Sequence, residues 1–188
     1  MADGSLTVWT IGHSTRSAAE LVDLLGQVPI TGLADVRSLP RSRANPQFNA
    51  DVLPATLAES GIGYCRLPAL GGLRPALKDG LPSGNALWRT AAFRNYADYA
   101  ATPAFRRGLD ELMALCRERR TAIMCAEAVW WRCHRRIVGD YLLAAGVAVL
   151  HIMGPGKIEP AVLTPGACPL PDGTILYPAP AEAQLSLL

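Results

Sequence analysis

The chain has 188 residues, half of them hydrophobic and 18% charged, with a formal net charge of +2. That length and apolar content suit one domain with a real core and exclude a disordered polyelectrolyte, and so small a charge makes no general case for nucleic acid. No apolar run approaches the ~20 residues of a bilayer span, and the opening MADGSLTVWT lacks the basic start and long apolar stretch of a secretory signal, so a cytoplasmic protein with no membrane partner is expected.

The five cysteines, at 65, 116, 125, 133 and 168, are an odd and scattered set, which reads as free thiols and not as a disulfide framework. The basic residues are lopsided: Lys78 and Lys157 are the only lysines and the other 16 are arginines. Guanidinium groups suit bidentate recognition of phosphate or carboxylate; a GC-rich genome would give the same bias with no functional meaning.

Leu6 to Ile11 is rich in β-formers and predicts a first strand, ending at Gly12-His13-Ser14. Ser17-x-x-Glu20 fits a capping box and opens a helix carrying Leu21, Leu24 and Leu25. Ile30 to Val36 predicts a second strand with Asp35 and Arg37 at its end. A polar loop follows, Pro40 to Asn49, holding Arg41, Arg43 and Asn45, and then a helix from about Asp51 to Glu59. Ile62 to Leu67 predicts a third strand. After it come Gly71-Gly72, which permit positive φ or a close backbone approach.

Leu87 to Ala100 predicts a helix whose aromatics, Trp88, Phe93, Tyr96 and Tyr99, are core or a lid over a pocket. Thr102-Pro103 supplies an N-cap and a first-turn proline for a helix to about Arg120. Thr121 to Cys125 is the fourth strand, Arg132 to Ala145 the helix after it, and Val147 to Ile152 the fifth strand. Beyond Met153 the chain turns Pro- and Gly-rich. Pro171-Asp172-Gly173-Thr174 signals a turn, Ile175 to Tyr177 a short edge strand, and the last ten residues are expected to fray.

Strand–helix alternation predicts an α/β fold: a three-layer, Rossmann-like domain over residues 1–155, with a mainly parallel five-stranded sheet and helices on both faces. Residues 156–188 form a Pro/Gly-rich extension partly packed on it. Such sheets bind ligands outside the carboxyl ends of their strands. Every polar cluster of this chain sits at such an end, so four loops should converge on one crevice.

Residues 122–141, AIMCAEAVWWRCHRRIVGDY, carry the densest chemistry. Cys125 lies between a strand and a helix N-terminus, where unpaired N–H groups can lower a thiol pKa from about 8.5; the plain alternative is an inert strand-end thiol. Cys125 and Arg132 enclose six residues, one more than the phosphate-cradling loops of phosphatases, and two of the six are tryptophans. Catalytic roles are assigned to Cys125, Glu127 and His13, with Glu127 as acid or base. Ligand binding is assigned to Ser14, Asp35, Arg37, Arg41, Arg43, Asn45, Gly71, Gly72, Cys133, His134 and Arg135. Cys65, Cys116 and Cys168 are read as packing residues. Cys125, Glu127, Cys133 and histidine are residue types that suit zinc or iron. No metal site is assigned, because the spacing matches no common zinc module and Cys133 and His134, adjacent on a helix, would point about 100° apart. The cofactor is left unknown.

Thr10-Ile11-Gly12-His13-Ser14, Asp35-Val36-Arg37-Ser38 with the Pro40 to Asn49 loop, Leu67-Pro68-x-Leu70-Gly71-Gly72, and Met124-Cys125-Ala126-Glu127 with Cys133-His134-Arg135 together resemble a prokaryotic family catalogued as domain of unknown function 488. Phe93-Arg94-Asn95-Tyr96-Ala97-Asp98-Tyr99 is similar to it as well, and the resemblance runs from about residue 6 to 155. It implies a small α/β domain with its motifs grouped at one end of the sheet and supplies no activity. The leading reading is an enzyme acting on a phosphorylated or otherwise anionic ligand, a nucleotide or nucleic-acid end. The alternatives are a non-catalytic module binding an anionic small molecule or nucleic acid, and a metal-dependent enzyme using Cys125, Glu127 and a histidine.

Overall fold

Short runs of β-branched residues alternate with helices closed by caps, and the computed structural model, which describes residues 6–78 and 82–180, arranges them as a mixed α/β fold. The strands are β1 (Thr7–Gly12), β2 (Gly32–Asp35), β3 (Gly63–Arg66), β4 (Thr121–Cys125), β5 (Ala148–Gly154) and β6 (Lys157–Pro160). The helices are α1 (Ala18–Gly26), α2 (Leu53–Glu59), α3 (Ala91–Ala100), α4 (Pro103–Glu118) and α5 (Arg135–Ala144).

Local chemistry explains the helix starts. Ser17 Oγ accepts from the Glu20 amide at 3.1 Å while the Glu20 carboxylate accepts from the Ser17 amide at 2.6 Å, a complete capping box for α1. Thr102 accepts from the Phe105 amide, and Pro103 takes the first position of α4, where a missing N–H costs nothing.

The sheet order is β3-β2-β4-β1-β5-β6, with β1 to β5 parallel and β6 antiparallel to β5. It therefore has six strands, not the expected five. The sixth folds back from β5 through Pro155-Gly156, with Gly156 at φ +64°, a value that glycine adopts without strain. Lys157-Ile158-Glu159-Pro160 hides this strand from the sequence. It is short, charged and largely exposed, as edge strands often are. The expected edge strand near Ile175 pairs instead with β7 (Cys168–Pro169), so that β8 (Ile175–Leu176) belongs to a separate two-stranded ribbon. Tyr177, fully buried, ties that ribbon down by donating its hydroxyl to Asp140 at 2.9 Å. The fraying expected of the last ten residues falls mostly on 181–188, outside the described residues.

Period-two alternation divides the strand residues between two hydrophobic clusters. Ile11, Leu33, Ala122 and Met124 pack with Leu21, Leu25, Leu53 and Leu57 of α1 and α2. Val8, Ala34, Ile123 and Val149 pack with Tyr96, Phe105, Leu112, Ile137 and Leu142 of α3, α4 and α5. The helix that follows β1 thus packs with one cluster and the helix that follows its neighbour β4 with the other. That reversal opens a crevice at the carboxyl ends of β1 and β4, the switch point where open α/β sheets bind ligands. Among the described residues, no helix is long and apolar enough to cross a membrane.

Candidate functional site

At the switch point, Gly12 of β1 stands opposite Cys125 of β4, and the pairing continues beyond the strands. The His13 amide donates to the Cys125 carbonyl and the Ser14 amide to the Ala126 carbonyl, both at 2.9 Å. A Cβ on Gly12 would strike the Glu127 carbonyl, so only glycine lets the two loops close on each other. Ser14 sits at φ +52°, a left-handed conformation that costs a non-glycine residue energy and that concentrates at functional loops.

Asp35, fully buried, neutralises Arg37. Its carboxylate accepts from Arg37 Nε at 2.9 Å, from Arg37 NH2 at 2.6 Å and from the Tyr64 hydroxyl at 2.7 Å. Arg37 also donates to the Phe48 carbonyl at 2.7 Å and points NH1 at His13 Nε2, 3.2 Å away. Because a guanidinium only donates, that Nε2 presents a lone pair, and His13 Nδ1–H donates to the Ser14 carbonyl at 2.8 Å. Burial, with the Arg37 and Arg135 charges, lowers the His13 pKa from 6.5 to about 4. His13 is thus a neutral imidazole stacked on Phe48, with ring centroids 4.2 Å apart.

Two sulfurs and a ring nitrogen meet on the other side of the crevice. Cys125 Sγ, Cys133 Sγ and His134 Nδ1 all lie within 4.8 Å of one another. The expected helix from Arg132 is replaced by a single 3₁₀ turn, Trp130–Arg132, and α5 begins only at Arg135. Cys133 is extended at φ −126°, ψ 148°, so the 100° helical spread expected for Cys133 and His134 does not apply. His134 Nε2–H donates to the Val36 carbonyl at 3.0 Å, which leaves Nδ1 as a lone pair aimed at Cys133 Sγ (3.6 Å) and Cys125 Sγ (3.9 Å).

Arg135 is 1% exposed and among the described residues has no carboxylate within ion-pair distance. It donates Nε–H to Cys133 Sγ at 3.3 Å, NH2 to the Glu127 carbonyl at 2.6 Å and NH1 to Thr10 Oγ1 at 3.5 Å. A buried cation needs a counter-charge, and Cys133 is the group placed to carry it. Burial disfavours a Cys133 thiolate, yet the Cys125 thiol and the Arg135 charge together hold its pKa well below the ordinary thiol value. Cys125 is pushed up, by its hydrogen bond to Cys133 and then by burial. This reverses the expectation for Cys125: the helix N-terminus that favours a thiolate lies beside Cys133 instead.

These groups floor a cavity of about 400 Å³ lined by Arg37, Leu39, Gly72, Phe93, Tyr96 and Arg132 among others. A second lobe of about 360 Å³ holds His13, Ser14, Arg41 and Asn45, and shares Arg37, Leu39, Ala126 and Glu127 with the first. Glu127 is exposed on this shared rim, so it is not the buried acid or base its position suggested. Asp35 and Arg135 stand behind the lining, Arg41 is largely exposed and weakly paired with Asp51 at 3.5 Å, and exposed Arg43 faces neither lobe. Gly72 serves close approach, since a Cβ there would collide with the His134 ring, and Gly71 similarly makes room for Ser38. Cys65 and Cys116 are partly buried, and Cys168 is exposed and not packed.

Sequence reasoning missed several supports. Tyr96 sets its ring edge against His134, with centroids 5.1 Å apart, and anchors its hydroxyl on the Leu70 carbonyl. His151 Nδ1 hydrogen-bonds with the Thr10 hydroxyl at 2.7 Å and its ring stacks on Trp130, extending the chain of hydrogen bonds that begins at Arg135. The one sequence signal for this chain was a polar Thr10 and His151 on strands otherwise rich in apolar residues.

A two-lobed crevice floored by two thiols and an imidazole thus lies at the switch point of a largely parallel sheet in a mixed α/β protein. The chain belongs to the family described as domain of unknown function DUF488, whose model matches residues 17–142. The match starts after the Gly12-His13-Ser14 loop and ends within α5, a narrower span than the motifs suggested. No curated protein and no solved structure matches the chain.

Proposed function

We propose that this protein is a small enzyme acting on an anionic small molecule, of the class that includes phosphorylated compounds such as nucleotides. The observation that carries the reading is the convergence of Cys125, Cys133 and His134 at the floor of an open cavity, beside a buried arginine that among the described residues has no carboxylate within ion-pair distance. Arg132 lines this largely apolar cavity, where charge acts at lower dielectric and an anion is attracted more strongly than in water. Leu39, Phe93 and Tyr96 would hold an apolar body, and Arg132 would face its charged end. A cavity of this size fits one small molecule, not a polymer backbone. Helices on both faces of the sheet, in a three-layer Rossmann-like arrangement, and five free cysteines, which suit a reducing cytoplasm, agree with this reading.

The test compares two alkylating reagents of similar size on the full chain, freed of metal by chelation, with peptide mass spectrometry as the readout. Anionic iodoacetate should label Cys125 or Cys133 faster than neutral iodoacetamide and with saturation, while exposed Cys168 shows the reverse order. Equal order at all three cysteines, or no saturation, sinks the proposal.

A further inference from the structure

We propose that Cys125, Cys133 and His134 form a zinc site with a fourth position open to the cavity. Both nitrogen–sulfur separations suit it, and the two sulfurs lie within 4.8 Å of each other. Tetrahedral zinc with Zn–S near 2.3 Å and Zn–N near 2.0–2.1 Å sets its ligand atoms about 3.5–3.8 Å apart. His134 Nδ1 is 3.6 Å from Cys133 Sγ and 3.9 Å from Cys125 Sγ. Three ligands plus one open position is the pattern of catalytic zinc, whereas structural zinc is closed by four protein ligands.

The surroundings support the same assignment. A ligating imidazole usually donates its other N–H to a carboxylate or backbone carbonyl, which fixes the tautomer and the ring. His134 does so through Nε2–H to the Val36 carbonyl. Tyr96 and Gly72 hold the ring from two further sides. The Arg135 N–H on Cys133 Sγ stabilises a thiolate in place, so the ligand is prepared before a metal arrives. Adjacent Cys133 and His134 reach one point because the first is extended and the second, at φ −58°, ψ −17°, starts the helical turn.

Charge then selects the fourth ligand. Zinc with two thiolates and a neutral imidazole carries no net charge, and the buried Arg135 leaves the site at +1. The open position therefore takes an anion: hydroxide, or the carboxylate or phosphate of a substrate. This last step rests on the anionic-substrate reading above, whereas the metal assignment stands on the donors alone. Binding displaces the remaining thiol protons into solvent.

Cobalt(II) reports the site without any activity assay, because thiolate-to-cobalt charge transfer and intense visible bands mark a tetrahedral sulfur site. Chelator-treated, reduced full-length protein should titrate with cobalt to one equivalent, and zinc should bleach the bands. Cys125→Ser, Cys133→Ser and His134→Gln should each weaken cobalt at least tenfold, while Cys65→Ser leaves it unchanged. Absence of charge transfer in folded wild-type protein at stoichiometric cobalt, or full retention in Cys133→Ser, overturns the assignment. If a variant fails to fold by circular dichroism, the wild-type band intensity decides, since two thiolates give about twice the charge transfer of one. Failure here with the iodoacetate preference intact leaves a metal-free thiol enzyme; the opposite result leaves a zinc site with no preference for anions.

Discussion

Two buried neutral histidines should make this protein lose stability at mildly acid pH, well before ordinary carboxylates titrate. His13 and His151 are 3% and 2% exposed, and burial is the main cause that lowers each pKa from 6.5 to about 4. The Arg135 charge lowers the His151 pKa further, and the Glu159 carboxylate on the neighbouring strand only partly offsets this. The sign follows from proton counts. Between pH 6.5 and 4 the unfolded chain binds these protons and the native state does not, so stability is fully present above 6.5 and falls as pH drops toward 4. At pH 5 each histidine costs about 2 kcal/mol relative to neutral pH, and the pair about 4 kcal/mol. That is a large share of a typical total of about 5–15 kcal/mol. Asp140, pushed up by burial, works in the opposite sense by binding its proton more readily in the fold. The Ser17 cap holds exposed Glu20 below its usual value. Urea unfolding at pH 7.5, 6 and 5 measures the loss, and His151→Gln should remove about half of it. A free energy that is flat to within about 0.5 kcal/mol from pH 7.5 to 5 would show that these imidazoles are not buried neutral.

Gly72→Ala should drive a methyl into the His134 ring, destabilise the fold by about 1–3 kcal/mol, and weaken cobalt binding as His134→Gln does, whereas Gly26→Ala, with nothing within 4 Å of the new Cβ, should leave both unchanged. Asp35→Ala strands the buried Arg37 charge and should cost about 3–5 kcal/mol in thermal or urea unfolding; the double change Asp35→Leu with Arg37→Met should cost clearly less than the single one. Ser17→Ala breaks the capping box of α1 and should lower stability by about 1 kcal/mol while both cysteine labelling rates stay as they are.

Local physics made much of this protein legible from its residues. The Ser17–Glu20 box, the Thr102-Pro103 start, and the alternation of β-branched runs with periodic leucines each act within a few residues. The elements they predict are present, with α3 and α5 starting three or four residues late. The strand-end rule then brought His13, Arg37, Gly72, Cys125, Cys133 and His134 to one crevice with no contact known in advance. What the tertiary structure alone decided is where each side chain is directed. Arg37 has the composition of an anion clamp, but Asp35 two residues away captures it. Cys133, not Cys125, holds the negative charge because Arg135 turns its Nε toward that sulfur. His134 acquires its free Nδ1 only because Val36, 98 positions earlier, lends a carbonyl to Nε2. Such pairings join residues far apart in the chain. Periodicity and capping carry no trace of them, since each depends on a rotamer, a burial depth and a partner that exist only once the sheet has closed.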